Sequence, residues 1–117
     1  MNTVALFTAL LKEKAKRSYF IQLDVLEQTT SLVKARLYIS PNLFVQVYRN
    51  DQFDTTNLVL VHNNQRLYGR DQLDGIWHRH TANAPDEHDY SKAGRKIVTL
   101  AEFLDEVETV LAERDLP

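Results

Sequence analysis

The sequence predicts an α+β fold: an antiparallel meander of five to six strands flanked by an N-terminal and a C-terminal helix, in a single domain over residues 1–117. Three observations predict it. Apolar residues recur at helical spacing only near the two ends of the chain. Between those ends the period drops to two, and short turn signals, with no room for crossover helices, join the runs.

Residues 3–16 read as an amphipathic helix, with Val4, Phe7, Leu10 and Leu11 as its stripe and Lys12, Lys14, Lys16 and Arg17 toward the negative end of its dipole. In residues 19–26 and 33–39 apolar and polar positions alternate, the pattern of strands with one wet face. Ser40-Pro41-Asn42 turns the chain into a third strand at 43–49. After a polar loop at 50–54, residues 57–62 and 66–73 form a hairpin across Asn63-Asn64. Asp74-Gly75 makes a second hairpin into 76–80, because both residues tolerate the positive φ of a type I′ turn. Residues 81–95 contain Pro85, Gly94 and few aliphatics, and read as a loop. The last helix opens on the capping-box sequence Thr99-Leu100-Ala101-Glu102, with Val98 and Phe103 placed as a hydrophobic staple. Leu100, Phe103, Leu104, Val107 and Leu111 form its buried stripe; Glu102, Asp105, Glu106 and Glu108 are expected to face water.

Composition removes several function classes. With no cysteine there is no disulfide framework, thiol catalysis or zinc–thiolate site. A net charge of −2 gives no whole-molecule field for nucleic acid, so any such contact needs a local basic patch. One is available from Arg66, Arg70, Arg79, Lys92, Arg95 and Lys96. Lys34, Arg36, Arg49 and Arg66 offer another, although a solvated sheet face has the same appearance. No segment approaches the roughly 20 apolar residues of a membrane span, and the opening residues lack the basic start and cleavage site of a signal peptide. No membrane partner and a cytoplasmic location are therefore expected. P-loop, nucleophile-elbow and dinucleotide-binding glycine motifs are missing from the sequence.

Residues 76–94, IWHRHTANAPDEHDYSKAG, contain the one tryptophan and three of the four histidines. If Asp74-Gly75 is a two-residue loop, counting back pairs Leu73 with Ile76, Gln72 with Trp77, Asp71 with His78 and Arg70 with Arg79. One side then carries Asp71, His78 and His80, a carboxylate placed to orient an imidazole. The other carries Tyr68, Arg70, Trp77 and Arg79, an aromatic and guanidinium platform for a base or phosphate. A surface Asp–His hydrogen bond and a core-capping tryptophan account for the same residues without any function. His78-x-His80 puts two imidazoles on one face, and His88, Asp86 or Asp89 would have to complete a metal site from a loop of unknown path. No metal ligand and no cofactor are assigned. His62, beside the Asn63-Asn64 turn, reads as a turn residue.

The helix, the strand ending V-K-A-R-L-Y-I, the strand L-F-V-Q-V-Y-R, the Trp-x-Arg-His and Asn-Ala-Pro cluster and the downstream histidine together resemble the TumE-type toxins of prokaryotic toxin–antitoxin pairs. The C-terminal helix extends the resemblance over most of the chain. In that family an aromatic and arginine strand leads into a D-N-A-P-H-H-like loop and a histidine pair. The counterparts here are Trp77, Arg79, Asn83, Ala84, Pro85 and His88. Ala82 precedes Asn83 where the family has an acid, Asp86-Glu87 follows Pro85, and the downstream pair is reduced to His88. The resemblance implies a toxin-like protein expressed beside a helix-turn-helix antitoxin and acting on RNA.

Catalysis is accordingly expected from His78, His80, His88, Arg79 and Asp71, and substrate binding from Trp77, Asn83, Arg70 and Arg95. A functional cleft requires Trp77, Arg79 and His80 to converge with Asn83 and His88, which needs a bulge near His80. The competing class is a non-catalytic interaction module, with the acidic last helix suited to a basic partner.

Overall fold

A computed structural model describes residues 2–117. The elements run α1 (Thr3–Lys16), β1 (Gln22–Gln28), β2 (Leu32–Ser40), β3 (Leu43–Asn50), β4 (Thr55–His62), β5 (Gln65–Leu73), β6 (Ile76–Thr81), β7 (Ala84–Asp89) and α2 (Leu100–Glu113). All seven strands form one sheet in sequence order, and every neighbouring pair is antiparallel. The fold is therefore α+β, with a meander flanked by terminal helices. Both helices lie on the same face of the sheet, where Leu6 and Leu10 of α1 and the apolar stripe of α2 meet Val33, Ala35, Leu37, Val45, Val47, Leu58 and Leu60. No helix among the described residues is long and apolar enough to cross a membrane.

The hairpin chemistry is as expected. Asn63 and Asn64 have φ of 52° and 64°, and Asp74 and Gly75 have 50° and 80°, so both central residues of each two-residue turn are left-handed. The strand the sequence did not predict is β7, inside the segment that reads as a loop. It forms at the sheet edge, where the missing N–H of Pro85 is tolerated and no run of aliphatics is required.

Helix α1 is seated one step round from its expected stripe. Leu6 and Leu10 are buried, whereas Val4 and Leu11 are exposed. Polar anchors choose the face. The Thr3 backbone N–H and hydroxyl donate to Asp51 Oδ2 (3.1 and 3.0 Å), and at the other end Arg17 Nη2 donates to Glu13 Oε1 (3.0 Å), with both partners buried.

Helix α2 begins with the full capping box: the Glu102 N–H donates to Thr99 Oγ1 and the Thr99 N–H to Glu102 Oε1. Leu100, Phe103, Leu104, Val107 and Leu111 are all buried, joined by Val110. Leu104→Ala is expected to lower unfolding free energy by about 3 kcal/mol, within the range of core truncations, in chemical denaturation. An unchanged midpoint would overturn this placement. The acidic face of α2 differs from the expectation. Glu106 is bonded to Arg70 and Tyr68, and Glu108 and Asp105 are paired with Arg17. Part of that charge is offset within the chain, because Arg17 after α1 and Arg70 on β5 lie under the helix, although Arg17 is shared among Glu13, Asp105 and Glu108.

The opposite face of the sheet carries no helix, and the strand registers order its residues in cross-strand rows. One row reads Lys34, Tyr48, Asn57, Asp71, His78; the next reads Arg36, Gln46, Val59, Gly69, His80; a third reads Tyr38, Phe44, Val61, Arg66. Arg49, expected among these cations, instead points into the helix side. It is buried and held by Asp51, Asp54, Thr56 and Gln72. The two sheet edges also differ. β1 is largely exposed, with Val25 and Leu26 open beside the neighbouring Ile21, while β7 reads Ala-Pro-Asp-Glu-His-Asp.

Candidate functional site

The Asp74-Gly75 turn dictates the centre of the site. It pairs Leu73 with Ile76, Gln72 with Trp77, Asp71 with His78, Arg70 with Arg79 and Gly69 with His80. Alternation then puts Asp71, His78 and His80 on the open face and Tyr68, Arg70, Trp77 and Arg79 toward the helices. Strand β7 adds a third imidazole. His78, His80 and His88 have ring centroids 5.0, 4.8 and 4.8 Å apart, and Tyr90 lies 5.3 Å from the His78 ring.

Asp71 sits beneath two of these rings. Its Oδ2 is 3.4 Å from His78 Nε2 and 3.3 Å from His80 Nε2. Its Oδ1 is buried and has no hydrogen-bond partner. His78 and His80 are themselves almost inaccessible, at 1% and 2% exposure, whereas His88 is exposed. Burial pushes the Asp71 carboxyl above its ordinary value, partly countered by the imidazoles and by Arg66. Burial likewise holds both inner imidazoles below theirs, with the neighbouring Asp71 acting in the opposite sense. His80 Nδ1 lies 2.9 Å from the Pro85 carbonyl oxygen, an atom that only accepts, so this nitrogen donates.

Arg66 reaches the site through an irregularity. The pairing of β4 with β5 shifts between Leu60, which faces Tyr68, and Val61, which faces Arg66, so Leu67 is an extra residue. A regular strand would put Arg66 on the same side as Tyr68. The bulge turns it to the open face, where its Nη1 lies 3.1 and 3.2 Å from the two ring nitrogens of His80. Sequence reasoning counts Arg66 in both basic patches and Tyr90 within the polar stretch 76–94, but assigns neither to the histidine cluster. Nothing in the local pattern marks the bulge, and Tyr90 falls in the segment that reads as a loop.

The other expected site residues lie elsewhere. Trp77 is 4% exposed and belongs to the core. Arg70 is 3% exposed and clamps Glu106 with two hydrogen bonds of 2.8 and 2.9 Å, while its Nη1 donates to the Ala93 carbonyl. Arg79 donates to Asp89 Oδ2 through Nε and Nη2 (2.9 and 2.6 Å). Ser91 and Arg79 together hold that carboxyl down at about 2. Asn83 is exposed in the turn before β7, and Arg95 is exposed in the turn after it. The expected single concavity is thus divided between two faces. A register shift does occur between Arg79 and Thr81. It leaves His80 beside Asp71 and does not bring Trp77 or Arg79 round to it.

The arrangement offers two buried imidazoles, an exposed one, a buried carboxylate and a guanidinium on one face, which solvent reaches at His88 and Arg66. These are components of proton transfer and of cation or phosphate binding. No family model, curated protein or solved structure matches this chain.

Proposed function

We propose that the chain is a toxin-like protein that acts on RNA, with the open sheet face as its binding platform and the Asp71, His78, His80 and His88 cluster as its reaction centre. The observation that carries this reading is the set of rows on the open face. Lys34, Arg36, Tyr38, Phe44 and Tyr48 lead strand by strand to His78, His80 and Arg66, with the Arg36 guanidinium 4.6 Å from the Phe44 ring centroid. The half-buried Tyr38 and Tyr48 rings among these cations suit splayed single-stranded bases, which stack on rings while their phosphates meet positive charge. Phe44 is buried beneath Arg36 and supports the platform from below. The longest rows cross from β2 to β6, so the platform is about 19 Å wide at the usual strand spacing. Phosphodiester cleavage at its end needs a base for the 2′-hydroxyl, an acid for the leaving oxygen and positive charge for the phosphorane. The cluster and Arg66 include groups of each kind.

Incubation of the purified chain with an unstructured RNA tests the reading. Cleavage is expected, together with binding that weakens by about 1–3 kcal/mol in Tyr48→Ala, the usual worth of one stacked base. RNA that stays intact and unbound would overturn the proposal. The partner class that accompanies it is a helix-turn-helix antitoxin, and a short adjacent reading frame encoding one would support the toxin reading.

A second reading, a non-catalytic interaction module, is favoured by a separate observation. β1 leaves a sheet edge open beside the exposed Ile21, Val25 and Leu26, a surface to which a partner strand can add. The acidic face of α2, on which Asp105 and Glu108 stay largely exposed while sharing Arg17, is a second surface for a basic partner.

A further inference from the structure

We propose that His78, His80 and His88, backed by the Asp71 carboxylate, bind a divalent transition-metal ion, with Zn²⁺ the expected occupant. The inference rests on reading this cluster as the functional centre and does not depend on RNA being the substrate. One ligand nitrogen from each histidine lies within 4.8 Å of the others. In a tetrahedral zinc site with bonds of 2.0–2.1 Å, ligand atoms are about 3.3 Å apart. Asp71 Oδ2 already stands at that separation from both inner Nε2 atoms, at 3.4 and 3.3 Å. The three histidine nitrogens, which lie within 4.8 Å of one another, have to draw in by up to about 1.5 Å to reach that spacing.

The hydrogen bonding points to a cation at the same place. With its Nδ1 proton on the Pro85 carbonyl, neutral His80 presents its Nε2 lone pair to the Arg66 Nη1 donor at 3.2 Å, with Asp71 Oδ2 3.3 Å from the same nitrogen. Nε2 and Oδ2 are then both acceptors with the Arg66 cation at Nε2, and Asp71 Oδ1 is buried on the same carboxyl without a donor. A metal ion held by Nε2 and Oδ2 would take the place of that cation. Donation of the second ring N–H to a backbone carbonyl is also how ligating histidines are commonly oriented. Arg66 Nη1 now supplies positive charge against the His80 ring. It belongs to an exposed side chain that can withdraw when an ion enters. An all-imidazole set with one carboxylate favours zinc and its transition-metal neighbours over magnesium or calcium.

The tag-free chain, stripped of metal, would be titrated with Zn²⁺ against a chromogenic chelator and with Co²⁺ by visible absorption. One ion per chain is expected. Affinity should fall at least roughly ten-fold in Asp71→Asn, which exchanges a charged ligand oxygen for a neutral amide, and at least as far in His88→Ala. His62→Ala, which alters the histidine outside the cluster, should bind like wild type. His88 is exposed, so its variant is expected to fold, and far-ultraviolet circular dichroism checks this. Absence of stoichiometric uptake, uptake unchanged in His88→Ala, or uptake lost in His62→Ala would each overturn the proposal. The two readings fail separately. Metal uptake without RNA cleavage leaves the metal site and removes the RNA function; cleavage by a chain that takes up no metal does the reverse.

Discussion

Alanine in place of His88 should lower RNA cleavage by roughly a hundred- to ten-thousand-fold, the usual contribution of a positioned proton-transfer group, while Arg79→Ala leaves the rate close to wild type. The contrast comes from the two faces of β6. His88 completes the triangle of imidazoles on the open face, and its exposure makes it the member of the cluster that substrate can reach. Arg79 faces the helices and is occupied by Asp89. Its removal frees an edge-strand carboxylate without taking a group from the cluster. Single-turnover cleavage of a defined RNA, on variants with matched circular dichroism, checks the pair. Equal losses in both would mean that the reaction centre lies on the helix side, and the open-face assignment would fall.

Arg70→Ala should destabilise the fold by about 3 kcal/mol, near the low end of the penalty for breaking a buried ion pair. The low end applies because the Glu106 side chain keeps 27% of its surface, so water takes over part of the lost interaction. Arg70 joins three elements: Glu106 on α2, the Ala93 carbonyl after β7, and its own strand. The Tyr68 hydroxyl, which donates to the same carboxylate, is pushed up to about 12 by burial and by that bond. Chemical denaturation measures the loss. Replacing both partners with apolar residues, Arg70→Met with Glu106→Leu, should recover much of it, since the cost arises from the unpaired charge. A loss below about 1 kcal/mol, typical of surface pairs, would show that the clamp is not formed in solution.

Arg70 also shows how far local sequence patterns reach. The Asp74-Gly75 turn determines the register of β5 and β6 by its own backbone chemistry, so the Asp71–His78 pairing and the division of faces are legible in the residues themselves. What each face meets is a tertiary fact. The same alternation that placed Tyr68, Arg70, Trp77 and Arg79 together reads equally well as a substrate platform or as the seat of a helix, and α2 occupies it. The capping box and stripe of α2 were legible because both are local. Strand β7 was not, since an edge strand with a proline and acids has no apolar period to detect. The extra residue at Leu67 was not legible either. A bulge depends on the partner strand, and this one determines whether Arg66 joins Tyr68 or His80.

The inequality of the two sheet edges limits how this molecule can assemble. β7 ends the sheet with a proline and a run of charged side chains, both of which discourage a further strand. β1 is less protected: it has no proline, and only Asp24, Glu27 and an irregularity between Val25 and Glu27 blunt it beside the exposed Val25 and Leu26. A sheet with one receptive border and one closed border stops growing after a single addition. If two copies join β1 to β1 about a twofold axis, both remaining borders are of the closed kind. Growth through strand pairing is therefore confined to a finite pair, and an open-ended filament would require β7 to be rebuilt first.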